Sequence, residues 1–220
     1  MFKIAVIGGT GPQGKGLAYR FVKHGHSVVL GSRAAERAEG AAQEIADRVP
    51  GGAVSGATNE DALASCDVVL LAVPYDGHDD LVESLAPALA GKTVISCVNP
   101  LGFDKGGPFG KVVPGGSAAE TAQSIAAEAT VVGAFHHVSA VSLWGDDEFL
   151  DHEDVLVCGD DADAKAIAVE LATTVTGRPG IDAGKLRLAA QLEPFTAVLI
   201  SINKKYKVQS GLLVGGLGDH

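Results

Sequence analysis

Gly9-Thr10-Gly11-Pro12-Gln13-Gly14 follows directly on the β-rich apolar run Phe2 to Ile7, and leads into residues of helical pattern that end near Lys23. A G-x-G-x-x-G in that strand–turn–helix setting restricts the fold far more than the glycines would by themselves. Gly9 permits a tight turn, Gly11 lets the backbone approach a pyrophosphate, and Gly14 lets helix and strand pack closely. The amides of Thr10 to Gln13 are expected to face an anion from a helix N-terminus, where the dipole favours negative charge. Pro12 suits the first helical turn, where its missing N–H has no intrahelical partner anyway.

The second strand, Ser27 to Leu30, bears on which dinucleotide binds. NAD binders place an acid at its end to accept hydrogen bonds from the ribose 2′-hydroxyl. This chain has Gly31-Ser32-Arg33 there, with Arg37 one helical turn further on and no acid before Glu36. A carboxylate would repel a 2′-phosphate, whereas a guanidinium can clasp it in bidentate fashion. NADP(H) is the cofactor expected.

Strands and helices then alternate through the first hundred residues. Further strands are expected at residues 53–57, 67–73 and 93–98, with helices at 34–48 and 79–89 and Asn59 as the cap of a brief helix. That alternation implies an α/β fold, a Rossmann-like doubly wound parallel sheet covered on both faces. Val73-Pro74 and Asn99-Pro100 close the fourth and fifth strands at the carboxyl edge of the sheet, where ligands of such folds lie. Val73 is expected to cover the dinucleotide and Asn99 to approach the nicotinamide end. After Pro100 the pattern changes. Residues 101–115 read as a long loop, Ser117 to Glu120 as a capping box, 130–135 and 155–158 as strands, and Gly159-Asp160-Asp161 as the opening of a helix that runs to about Val175. Leu188, Leu192, Phe195, Leu199 and Ile202 share one face of a last helix, which Pro194 is expected to kink or divide. The 220 residues are thus read as a dinucleotide-binding domain, 1–140, and a smaller, mostly helical C-terminal unit, 141–220.

With 46% apolar residues the chain can bury a substantial core, and a net charge of −10 argues against nucleic acid as a partner. The first strand leaves no room for a signal peptide, and no apolar run approaches the length of a membrane span, so no membrane partner is expected. Cys66, Cys97 and Cys158 are odd in number, widely spaced and set in apolar surroundings. They read as core thiols of a cytoplasmic protein, with no metal site.

Acid–base groups are scarce. Tyr19 and Lys23 have the spacing of a short-chain dehydrogenase pair, but lie on the helix after the glycine loop and are read as coincidence. The exception is His136-His137, one of which could orient or protonate an acceptor ring. His24, His26, His78 and His152 look like surface or turn residues. Lys204, Lys205 and Lys207 form a basic run that would suit either an anionic tail or a helix C-terminus. Hydride transfer between two aromatic cofactors needs the rings held close in a dry slot more than it needs a strong acid.

Residues 3–16, Gly31-Ser32-Arg33, Cys66-Asp67, Val73-Pro74, Ala134 to His137, Cys158 to Asp161, Asp182 to Gly184 and the Leu192-Glu193-Pro194 to Asn203 segment together resemble the coenzyme F-420-dependent NADP reductase family. The resemblance runs nearly the whole chain in order. It implies reversible hydride transfer between NADP(H) and the deazaflavin coenzyme F-420 in a homodimer, with the second cofactor between the Rossmann domain and the C-terminal helices. It also implies NADP contacts at Thr10, Gly11, Pro12, Gln13, Ser32, Arg33 and Arg37. Val73, Asn99 and Ala140 would stand nearer the nicotinamide, and His136 near the deazaflavin. The chain departs from archaeal members at Ser139, where they tend to have Pro, and at Tyr75, where they tend to have Trp. Two other readings stay open on the residues. One is an NADP-dependent reductase of another small substrate, an imine or a metal chelate; the other is a non-catalytic NADP(H) sensor.

Overall fold

Six parallel strands make the body of the sheet in the computed structural model, which describes residues 1–217. In chain order they are β1 (Lys3–Ile7), β2 (Ser27–Ser32), β3 (Val54–Thr58), β4 (Val68–Leu71), β5 (Thr93–Ser96) and, after a hairpin, β8 (Thr130–Gly133). The hairpin is β6 (Leu101–Asp104) with β7 (Gly107–Gly110). Two later strands, β9 (Leu156–Gly159) and β10 (Ile181–Gly184), extend the sheet to the order β10-β9-β8-β5-β4-β1-β2-β3. Among the described residues, the β8–β9 pairing is the one antiparallel pairing within this eight-stranded sheet. The order in which successive strands are laid down reverses about β1, so the crevice between the carboxyl ends of β1 and β4 is the switch point where such sheets receive ligands.

The central strands are continuous apolar runs because both of their faces are covered. One face, with Ile4, Val6, Leu30 and Ile95, packs under α1 (Pro12–Lys23), α2 (Ala35–Arg48) and α7 (Ala162–Thr176). The other, with Ala5, Ile7, Val69 and Leu71, packs under α3 (Asn59–Leu63), α4 (His78–Leu89) and α5 (Ala118–Ile125). The remaining helices are the single turn α6 (Ala140–Leu143) and α8 (Ala189–Tyr206), the latter preceded by a 3-10 turn at Leu186–Leu188. Residues after 140 therefore supply three helices and also two strands of the main sheet.

Several local expectations are corrected. The 101–115 stretch is not a plain loop: its first ten residues form the hairpin, in which Gly110 lies so close to the Pro194 ring that a side-chain carbon there would stand 2.5 Å from it. Pro194 does not divide α8, which runs from Ala189 to Tyr206 with the proline inside it. The strand at 181–184 was not anticipated, since Ile181-Asp182-Ala183-Gly184 carries no apolar run. Thr58, not Asn59, caps α3, its side chain accepting from the Asp61 amide. His26 and His78 are buried rather than superficial; His26 Nδ1 accepts from the Phe2 amide, and His78 stacks on Tyr75. Tyr19 is buried against Trp144, and Lys23 pairs with Glu148, so neither forms a catalytic pair. All three cysteines are free and buried, with burial pushing the Cys97 thiol up to about 12. No helix among the described residues is long and apolar enough to cross a membrane.

Candidate active site

The glycine loop closes on itself at the switch point. The Gly9 N–H donates to the Val6 and Gly31 carbonyls, and the Gly11 N–H donates to the Gly8 carbonyl at 3.0 Å. Gly8 sits at φ +83, and a side chain there would strike the Ala72 carbonyl at the end of β4. A Cβ on Gly14 would lie 2.7 Å from the Gly8 carbonyl, so the start of α1 rests directly on the turn. Gly11 differs: a Cβ there would meet only the Gly8 carbonyl, at 3.4 Å. Its need for glycine comes from the open side, where a phosphate would approach. Because the Gly11 amide is spent within the turn and Pro12 has none, Thr10 and Gln13 are the loop amides left to face an anion.

A cavity of about 520 Å³ opens on this loop. Thr10, Gly11 and Pro12 form one wall, and Ser32, Arg33 and Arg37 another, at the end of β2. Val73 stands across from them beside the β4–α4 connection. Gly9 and Gly14 lie behind the loop and shape it from within. Four helices start at this cavity. Thr58 caps α3, whose first residue Asn59 lines the cavity, whereas α1, α2 and α4 have no side-chain cap among the described residues. Their N-terminal amides and positive dipole ends are available to an anionic ligand. Among the described residues Arg33 and Arg37 are in no ion pair, and Ser32 Oγ accepts only a 3.5 Å bond from the Ala34 amide, leaving its hydrogen free to donate. Asp76 also lines the cavity, but its carboxylate is held by Lys111 at 2.7 Å. These residues fit a doubly anionic phosphate at the β2 end and a diphosphate at the loop.

A second, smaller cavity of about 250 Å³ lies on the other side of the loop, between the ends of β5 and β8 and the inner face of α8. It gathers Gln13, Asn99, His136 and Ala140. Phe135, just before it, holds an unusual φ of +63, and its carbonyl accepts from Gln13 Nε2 at 3.2 Å. The His136 carbonyl is held twice, by Asn99 Nδ2 at 3.0 Å and by Thr196 Oγ1 at 2.8 Å. Strain of this kind persists only where neighbours over-determine it. Here it turns the chain sharply out of β8 and presents the His136 imidazole inward. Both His136 ring nitrogens are buried without a partner, as is Asn99 Oδ1. Burial, with His137 alongside, pushes the His136 pKa down to about 3, so the ring is neutral at physiological pH. It then offers one donor and one acceptor. His137 is otherwise engaged: its Nε2 donates to the Leu192 carbonyl at 2.8 Å and its ring meets Phe195 edge-on, so it fastens α8.

Thr10, Gly11, Pro12, Ser32, Arg33, Arg37 and Val73 thus share one cavity, and Gln13, Asn99, His136 and Ala140 share the next, with the glycine loop between. Gly8, Asn59, Thr196 and Asn203 border these cavities or shape the loop, though the sequence marks Asn59 only as a helix cap and none of the four as a site residue. The Gly8-Gly9 doublet was a signal for the first. The other three are ordinary helix residues until the helices are placed. Lys204, Lys205 and Lys207 are exposed at the C-terminal end of α8, in the four residues that follow Asn203.

A sequence profile described as NADP oxidoreductase coenzyme F420-dependent matches residues 3–100. The F420-dependent NADP reductase of Methanocaldococcus jannaschii is 38% identical over 211 residues, covering 93% of this chain and 94% of that one. The protein of the same name from Methanothermobacter thermautotrophicus is 39% identical over 96% of this chain and 93% of its own. The chain belongs to the F420-dependent NADP reductase family. A crystal structure of a putative F420-dependent NADP reductase from an Arthrobacter species superposes with a TM-score of 0.82 at 27% identity, covering 98% of this reductase-family chain and all of the other. Family membership thus extends across both cavities and beyond the part matched by the profile.

Proposed function

We propose that this reductase-family chain catalyses reversible hydride transfer between NADP(H) and coenzyme F-420. The observation that carries the reading is the pair of adjoining cavities divided by the glycine loop, in a chain matched almost end to end by relatives named for this reaction. NADPH supplies a hydride at its nicotinamide ring, and a deazaflavin accepts one at carbon. The protein's share is binding and orientation. Thr10, Gly11, Pro12 and Gln13 would hold the diphosphate, with Gly9 and Gly14 shaping the turn. Ser32, Arg33 and Arg37 would take the 2′-phosphate. Val73, Asn99 and Ala140 would border the nicotinamide. A neutral His136 supports orientation of the acceptor ring rather than delivery of a proton from an imidazolium.

The test is direct. Mixing the protein with NADPH and oxidised coenzyme F-420 should bleach the deazaflavin's visible absorbance, and NADH should serve far less well. Turnover restricted to imines or metal chelates would favour a different reductase, and binding of NADPH with no acceptor reduced would favour a sensor. We also read residues 1–140 and 141–220 as cofactor-binding and cleft-completing parts of a cytoplasmic homodimer. Free, buried thiols suit a reducing compartment. Exposed Phe103 and Phe109 on the hairpin and Val112 just after it, with Phe195 and Val198 on α8, offer an apolar face for a second copy. Light scattering that returned the mass of a single chain would remove the dimer from this reading.

A further inference from the structure

Beyond α8 the backbone reverses at Lys207, at φ +59, and residues 208–214 return along the edge of the second cavity. Four bonds seat this segment. The Ser210 N–H donates to Asn203 Oδ1 at 2.7 Å, and Gln209 Oε1 accepts from the Ser139 hydroxyl at 2.8 Å. The Asp154 N–H donates to the Leu212 carbonyl at 2.6 Å, and Asp154 Oδ2 accepts from the Val214 N–H at 2.8 Å. Little apolar packing anchors it: Val208, Leu213 and Val214 are exposed, and Leu212 is half-buried. Each such bond contributes little net stability in water, so a segment seated this way opens readily.

Gln209 and Ser210 thereby wall the cavity that holds His136 and Asn99. Both His136 nitrogens, Asn99 Oδ1 and Ser210 Oγ are buried without a hydrogen-bond partner among the described residues. Buried polar atoms are nearly always paired. Four unpaired ones on three residues of one cavity call for an occupant with both donors and acceptors. The pyrimidine edge of a deazaflavin has carbonyl acceptors and a ring N–H, and a serine hydroxyl can serve either.

We propose that residues 208–214 form a strap that closes over the second substrate, with the Ser210 hydroxyl as a direct polar contact to it and the Ser139–Gln209 bond as the latch. The proposal rests on the assignment of coenzyme F-420 as that substrate. Opening the latch admits the ring; closing it brings the hydroxyl into place and excludes water.

Hydrogen exchange of the 208–214 amides tests the closure without turnover. NADP+ with oxidised coenzyme F-420, a mixture in which no hydride can move, should protect these amides, and NADP+ alone should not. Ser210→Ala should raise the KM for coenzyme F-420 about three- to tenfold, the range for losing one neutral hydrogen bond, while NADPH affinity stays put. Ser139→Ala leaves Ser210 in place and should speed exchange of the 209–214 amides in the free protein, so the idea remains testable if the Ser210 variant folds poorly. Wild-type turnover of coenzyme F-420 without strap protection, together with a Ser210→Ala KM within twofold of wild type, would overturn the strap alone. No turnover of coenzyme F-420 by the wild type would overturn the functional reading and the strap with it.

Discussion

Arg33 and Arg37 stand exposed at the rim of the larger cavity, outside any ion pair among the described residues, although the chain carries ten more acidic than basic residues. A guanidinium left free in so acidic a molecule is best explained by an anion from outside it. Removing Arg33 should therefore act selectively. Arg33→Ala is expected to weaken NADPH binding about tenfold or more, the scale of one charge-assisted hydrogen bond, and NADH binding by less than twofold. Fluorescence titration with both nucleotides checks this, and equal losses would dissolve the account of the 2′-phosphate pocket. His136 makes the complementary case: a buried neutral imidazole whose protonation is suppressed to about pH 3 cannot set a pH optimum near neutrality. The expected result is that His136→Asn lowers kcat/KM without moving or removing any inflection between pH 5 and 8.

At the scale of elements, the position of α6 depends on one buried side chain in α1. Arg20 is fully buried, and its guanidinium meets no carboxylate. It donates instead to five carbonyls: Nε to Leu143 at 2.8 Å, Nη2 to Ser142 and Gly145, and Nη1 to Asp147 and Glu148. Gly16, one turn earlier in α1, allows Leu143 to pack against the helix backbone. The turn that carries Ala140 to the second cavity is thus tied to the helix that begins at the glycine loop. Arg20→Met fills similar space but strands those carbonyls, and unsatisfied buried acceptors are destabilising by about 1–3 kcal/mol each when water cannot reach them. A loss of about 3 kcal/mol or more is expected, read as a drop in melting temperature of roughly 6–12 °C for a chain of this size. A drop of only a degree or two would mean that the 142–148 segment holds itself.

The whole molecule has a pH dependence that its composition conceals. Glu153 is 1% exposed, one of its oxygens has no partner, and Gly211 of the C-terminal segment packs over it. Burial pushes its pKa up to about 7, against a partial pull downward from Arg20. Between its ordinary value near 4.5 and 7, the folded chain keeps a proton that the unfolded chain releases. Stability contributed by this group therefore falls as pH rises through that window and levels off above it. Glu153→Gln, neutral at every pH, should melt several degrees above the wild type at pH 8, with the gap narrowing toward pH 4.5. A gap that did not change with pH would show that the carboxyl is not held protonated. Glu193 is also pushed up to about 7 by burial, but accepts from the Ala118 and Ala119 amides at 2.8 and 3.0 Å, so its amide variant would lose an acceptor as well as a charge.

Local chemistry made much of this protein readable before any fold was in view. An unbroken apolar run, a glycine turn and a helix start are all decided by residues next to one another, so β1, the loop and α1 could be read directly. The Ser32-Arg33 pair was legible for the same reason: the residue at the end of β2 lies a set distance along the chain from the turn. The hairpin at 101–110 and the strand at 181–184 were not legible because no apolar run in their own residues marks them, and the unbroken passage of α8 was not because a proline inside a helical pattern reads as a break. β10 exists because β9 offers it an edge, and the hairpin lies where Gly110 meets Pro194. The second cavity is further still from sequence. Its walls come from α1, the chain just beyond β5 and β8, α6, α8 and the segment after it, and only folding makes neighbours of Gln13, His136 and Ser210. Backbone conformation follows short-range information, whereas a site assembled from six parts of the chain is a property of how they pack.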